Sequence, residues 1–207
     1  MVISCGDFLR EPLRFLVRGS VKSHALFYYR GICMAEENRK QTCCFFGHRK
    51  ISGTDGLRER LYESIENLII FNYVDTFLFG SKSDFDKLCL AVVTELKYKY
   101  PHIQRVYVRA EFQHINDDYK AYLLQSYDDT YYPEQISGSG RAAYVERNQI
   151  MIDCSDICII YYDKNYQPPT STYNRHKILS YQPKSGTKIA YEYALKKGKY
   201  IVNFFKK

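Results

Sequence analysis

Tryptophan is absent from the 207 residues, and no two cysteines are spaced C-x-x-C. The seven cysteines are Cys5, Cys33, Cys43, Cys44, Cys89, Cys154 and Cys158. Their number is odd, and they lack the ligand spacing of a zinc site. They read as buried free thiols of a reducing, cytoplasmic compartment, and no metal is expected. No apolar run approaches the ~18 residues of a membrane-spanning helix, so no membrane partner is expected. No long apolar segment precedes a small-residue cleavage site, which argues against a secretory leader. The G-x-G-x-x-G fingerprint and the P-loop are both missing. A standard dinucleotide oxidoreductase or NTPase is therefore disfavoured, and no cofactor is expected.

What is present suffices for one sizeable core and falls short of two full domains. Apolar residues make up 45% and charged residues 26%, with 21 Tyr and 12 Phe, so general disorder is excluded. The net charge of +7 is uneven. Residues 1–40 hold seven basic against four acidic residues, and the remainder 23 against 19. A main domain at +4 permits nucleic-acid binding without demanding it. Residues 1–40 read as an N-terminal extension, poorly ordered or the product of an upstream start, with Met34 as the alternative start. The main domain is expected over 41–207.

From residue 41 the pattern alternates strand and helix. Thr42–Phe46 is an apolar strand closed by Gly47. Leu57, Leu61, Ile65 and Leu68 form one helical stripe. Val74–Phe79 is a second strand closed by Gly80, and a helix carrying Leu88, Val92 and Leu96 stops before Pro101. Ile103–Val108 is a third strand, and a short helix is expected over Asp117–Ser126. Another helix runs over 140–153, and Ile157–Tyr162 is a fourth strand. A polar connection covers 163–184. The last helix spans Thr187–Lys197, stopped by Gly198, before the strand Tyr200–Phe205. Apolar strands alternating with helices predict a Rossmann-like α/β fold, a three-layer α/β/α sandwich with a mainly parallel sheet.

Right-handed crossovers put the C-terminal ends of all these strands on one edge, where such sheets bind ligands. That rule selects Gly47, His48 and Arg49, then Gly80, Ser81 and Lys82, Arg109, the loop after Tyr162, and Ser185, Gly186 and Thr187, to which the last helix adds the cation of Lys188. Arg grips phosphate bidentately, and His donates or accepts near neutral pH. Ser83 with Asp86, and Ser52 with Asp55, read as self-capped helix starts that repel a phosphate. The last helix carries no acid before Glu192, so its unpaired amides form the best phosphate cradle in the chain. Gly186 lets a ligand approach there. Arg147 and Asn148, with Glu146 beside them on the 140–153 helix, complete the set.

The segment Cys43-Cys44-Phe45-Phe46-Gly47-His48-Arg49 resembles the C-C-F-x-G-H-R opening of YpsA-like proteins in the SLOG superfamily. That superfamily includes the DNA-processing protein A and lonely-guy families. The resemblance runs over about 42–205. Phe79-Gly80-Ser81 with Phe85-Asp86 is similar to the second-strand motif, with Ser81 and Ser83 where glycines are common. Tyr144-x-x-Arg147-Asn148-x-x-Met151 resembles the lonely-guy M-x-x-R-K-x-x-M helix. Ser185-Gly186-Thr187 resembles the end of that family's P-G-G-x-G-T loop. Lonely-guy enzymes are phosphoribohydrolases whose motif continues to a catalytic Glu, and here that position is Ala190. Glu192 lies about 200° around the helix from there.

The resemblance implies binding or sensing of a nucleotide or nucleotide derivative without catalysis. A lonely-guy-like hydrolase is the alternative, with Arg147, Glu146 or Glu111 as its weak catalytic candidates. A single-stranded nucleic-acid binder is the second alternative. It would use Lys164, Arg175, His176, Lys177 and Lys184 beside Tyr161, Tyr162, Tyr166 and Tyr173. The expected partner is a nucleotide-derived small molecule, and the Tyr-rich surface permits self-association.

Overall fold

A computed structural model describes residues 2–4, 40–51, 55–168 and 184–205. Seven strands form one sheet: β1 (Val2–Ser4), β2 (Gln41–Gly47), β3 (Val74–Phe79), β4 (Gln104–Val108), β5 (Asp129–Tyr131), β6 (Ile157–Tyr161) and β7 (Tyr200–Asn203). Their order is β1-β7-β6-β2-β3-β4-β5, and every pairing is parallel. Among the described residues, five helices connect β2 through β7: α1 (Leu57–Phe71), α2 (Asp84–Lys99), α3 (Asp117–Leu124), α4 (Arg141–Asp153) and α5 (Gly186–Lys196).

The central strands are the most apolar ones. All five residues of β6 and the four inner residues of β2 are buried, as a sheet covered on both faces requires. Side chains of β2 alternate between two cores. Cys43 and Phe45 pack with Leu57, Leu61 and Ile65 of α1 and Phe85 and Val92 of α2. Cys44 and Phe46 pack with Met151 of α4 and with Ala190 and Ala194 of α5. The expected three-layer Rossmann-like α/β/α fold is the fold observed. Gly198 stops α5 with a φ of 65°, its amide donating to the Leu195 carbonyl at 3.0 Å.

Some elements differ from expectation. β5 is an edge strand with no apolar run of its own, held by pairing to Val106–Val108. β1 pairs with β7 and was likewise not foreseen. Helix α1 starts at Leu57, after Gly56 in the left-handed region (φ 64°), so Asp55 precedes the helix instead of lying in its first turn. Ser52 lies outside the described residues, as do most of the extension expected at 1–40 and residues 169–183 of the connection, including Tyr173, Arg175, His176 and Lys177.

Chain direction positions the site. From β2 the chain moves outward through β3, β4 and β5. It then crosses back to β6 on the other side of β2. The crevice between the C-terminal ends of β2 and β6 is therefore the topological switch point, where open α/β sheets bind ligands.

Candidate functional site

At the switch point, Gly47 sits against Tyr161 in register. A Cβ at Gly47 would lie 2.3 Å from the Phe85 Cβ. The glycine thus admits helix α2 to the sheet edge, a packing role. His48 follows and is 3% exposed, which its position after a strand-ending glycine did not reveal. Its amide donates to the Tyr161 carbonyl at 3.3 Å. Its Nε2 accepts the Asp163 amide at 2.9 Å. The ring stacks on Tyr166 with centroids 4.0 Å apart. Burial pushes the His48 pKa below its ordinary value, against the opposing pull of Asp163. Arg49 is exposed, and its carbonyl accepts the Asp84 amide at 3.0 Å.

One strand further, Arg147 reaches from α4 over the sheet edge and is 2% exposed. Its Nη1 donates to the carbonyls of Gly80 and, at 2.9 Å, Val108. Its Nε donates to Asn148 Oδ1 at 2.9 Å. None of these bonds uses Nη2. The absence of a side chain at Gly80 makes room for the guanidinium, because a Cβ there would lie 2.3 Å from Nη1. Burial works against the Arg147 charge, and Tyr107, Asp86, Glu111 and Tyr144 work for it. Asp86 is fully buried in the first turn of α2. Its Oδ2 accepts the Ser83 hydroxyl at 2.6 Å, and its amide donates back to Ser83 Oγ at 3.1 Å. Ser81 Oγ accepts the Ser83 amide at 3.0 Å. The expected self-capped start of this helix is thus present. Burial pushes the Asp86 carboxyl up to about 6, with the Ser83 bond and the Arg147 charge opposing it.

The remaining candidates here are engaged locally. Arg109 Nη1 donates to the Phe112 carbonyl at 2.8 Å. Glu146 Oε2 accepts the amides of Ser137 and Gly138 at 2.8 and 2.9 Å, fixing the approach to α4. Those bonds hold its carboxyl below the usual range. Glu111 accepts the Tyr144 hydroxyl at 3.2 Å.

The third group lies at the start of α5. Ser185 caps the helix, its Oγ accepting the Lys188 amide at 3.1 Å. No acid occupies the first turn. Thr187 is buried, whereas a Cβ at Gly186 would meet nothing within 4 Å. Ser185 and Lys188 line a cavity of about 400 Å³ together with Lys184 and the stretch Lys164–Pro168, which includes Tyr166. Among the described residues, no carboxylate lines it. Lys184 pairs outside it with Glu192 at 3.0 Å. Gly47, Arg49, Gly80 and Arg147 do not line this cavity, so the predicted residues divide into two neighbouring groups along one edge, with His48 and Tyr166 between them.

Five buried side-chain polar atoms have no partner among the described residues. Four of them, on His48 Nδ1, Asp86 Oδ1, the Tyr107 hydroxyl and Arg109 Nε, belong to this edge. Buried polar atoms are almost always paired, so these four single out the edge among the described residues. Asp86 and Tyr107 were not foreseen as site residues. Asp86 signalled itself as a capping acid, and Tyr107 gave no signal beyond that of a strand residue.

The YpsA family model, described as the YspA SLOG family, matches residues 39–193. The chain belongs to this family. No curated protein matches the chain. Membership is consistent with a nucleotide-related role. The SLOG match spans the switch point, the Arg147 cluster and the start of α5.

Proposed function

We propose that this SLOG protein binds a nucleotide or nucleotide derivative, seats its phosphate in the cavity at the start of α5, and does not turn it over. The cavity itself carries the reading. It brings three lysines and a capped helix N-terminus together, with no carboxylate among the described lining residues, on the edge where parallel sheets hold ligands. Tyr166 adds a ring, backed by His48, for a base to stack on.

The carboxylates at and near the lonely-guy position support the non-catalytic reading. An N-glycosidase needs an acid to steer water or to stabilise the ribosyl cation. Ala190, where the lonely-guy motif has Glu, is 1% exposed and packed in the core. Glu192 is paired with Lys184, and Glu146 with two amides. The reading includes a cytoplasmic location, in keeping with the buried free thiols Cys43, Cys44, Cys89 and Cys158.

Thermal shift and calorimetry over a panel of nucleoside mono-, di- and cyclic phosphates test it. A true ligand at about 100 times its dissociation constant adds roughly 2.7 kcal/mol of stability. Lys188→Ala should weaken binding without lowering the midpoint of the free protein. Free base released from any monophosphate would overturn the non-catalytic reading, and a flat panel would overturn binding altogether.

A further inference from the structure

Among the described residues, the turn that carries the wall of the lysine-lined cavity is anchored by a residue that does not line it. Asp163 anchors the turn from which Lys164–Pro168 project: its Oδ1 accepts the Asn165 amide at 2.8 Å, and its carbonyl accepts the Tyr166 amide at 3.1 Å. Asp163 is in turn held by His48 Nε2, which accepts its amide at 2.9 Å, while the imidazole face supports Tyr166. Both contacts come from a ring that is 3% exposed at the end of β2.

We infer that His48 is the positioning residue of the anion cavity, and that the cavity keeps its wall only while this imidazole is neutral. The inference rests on the reading that the cavity receives a phosphorylated ligand. An Nε2 that accepts a backbone amide carries no hydrogen, so the single ring proton sits on Nδ1. Protonation adds a hydrogen at Nε2 that meets the Asp163 amide hydrogen, donor against donor. The turn at Asp163 is then released, and Tyr166 with it.

The groups facing the ring are Tyr161 of β6, Tyr162, Tyr166 and the Asp163 carboxylate, with Arg49 next in the chain. Burial pushes the imidazole down and outweighs the opposing pulls of the Asp163 backbone and carboxylate, so the release falls on the acid side of ordinary histidine. The direction is diagnostic. Basic pockets ordinarily hold anions more tightly in acid. This one should hold them less tightly.

ADP binding is measured by calorimetry from about pH 7.5 to about pH 5 on the wild type, His48→Gln and His48→Ala. Glutamine offers an acceptor near the Nε2 position and does not titrate, so His48→Gln should restore what His48→Ala removes. The wild type should lose about tenfold in affinity relative to His48→Gln at the acid end, the ligand's own titration cancelling in the ratio. In ligand-free wild type, hydrogen-exchange protection of the Asp163 amide should fall over the same range and stay level in His48→Gln. A constant affinity ratio across pH, or constant Asp163 protection in the wild type, overturns the inference. If ADP binds at no pH, the nucleotide reading falls while Asp163 protection still decides the role of His48. Should His48→Gln fail to fold, the wild-type protection profile decides it.

Discussion

A methyl group added at Gly80 would lie 2.3 Å from Arg147 Nη1, whereas one added at Gly186 would meet nothing. The two glycines sit on the same edge for opposite reasons, one filled by protein and one open. Gly80→Ala should displace the guanidinium from the Gly80 and Val108 carbonyls and cost about 1–3 kcal/mol in a denaturant titration. Gly186→Ala should leave stability unchanged or raise it by up to ~1 kcal/mol, since it stiffens the unfolded chain and favours the helix. If a phosphate approaches the backbone there, the same substitution weakens nucleotide binding, a loss without instability. Arg147 and His48 were visible in the sequence as candidates, but their burial was not. A cation after a helical stripe and a histidine after a strand-ending glycine read as solvent-facing. Only the third dimension supplies Val108 and Gly80 carbonyls to the one and Asp163 to the other.

Helix α2 begins with a buried acid, and that has a pH consequence. Its carboxyl at Asp86 is pushed from an ordinary 3.8 up to about 6. The folded protein therefore holds this proton more tightly than the unfolded chain, so its contribution to stability falls as pH rises through the interval between those values. The loss is at most about 3 kcal/mol. Asp86→Asn removes the titration. The stability difference between wild type and Asp86→Asn should therefore drift in favour of the variant from about pH 4 to about pH 7, read by urea unfolding. Parallel curves would show that Asp86 does not titrate there. Elements with their own apolar pattern were legible: β2 and β6 from unbroken runs, α1 from its stripe of Leu57, Leu61, Ile65 and Leu68. The strand β5 was not, because Asp129–Tyr131 owes its conformation to pairing with β4. The start of α1 was misplaced because Gly56, not a polar side chain, sits at its cap.

Over the whole molecule, a net charge of +7 and a lysine-lined cavity make the proposed phosphate binding an electrostatic matter. Affinity for ADP should fall severalfold as salt is raised from about 0.05 to about 0.5 M, because screening shortens the reach of these charges. The fall should be shallower in Lys188→Ala. Equal slopes would place the bound phosphate elsewhere. The edge on which Gly47, Gly80, Arg109 and Ser185 meet followed from strand order and crossover handedness. Their division into two groups did not, since it depends on how far α4 leans across the edge to deliver Arg147.

That lean gives the rim two different mechanical halves. To separate β3 from β4 at their tips, the molecule must strip a buried guanidinium of both carbonyls at once and leave its charge without compensation. Across the crevice, among the described residues, Asp163 meets the end of β2 through one imidazole lone pair, with the His48 ring stacked on Tyr166 beside it. The corner under Arg147 is thereby the more firmly tied half of the rim, and the turn carrying Tyr166 the half with fewer bonds to give up among the described residues.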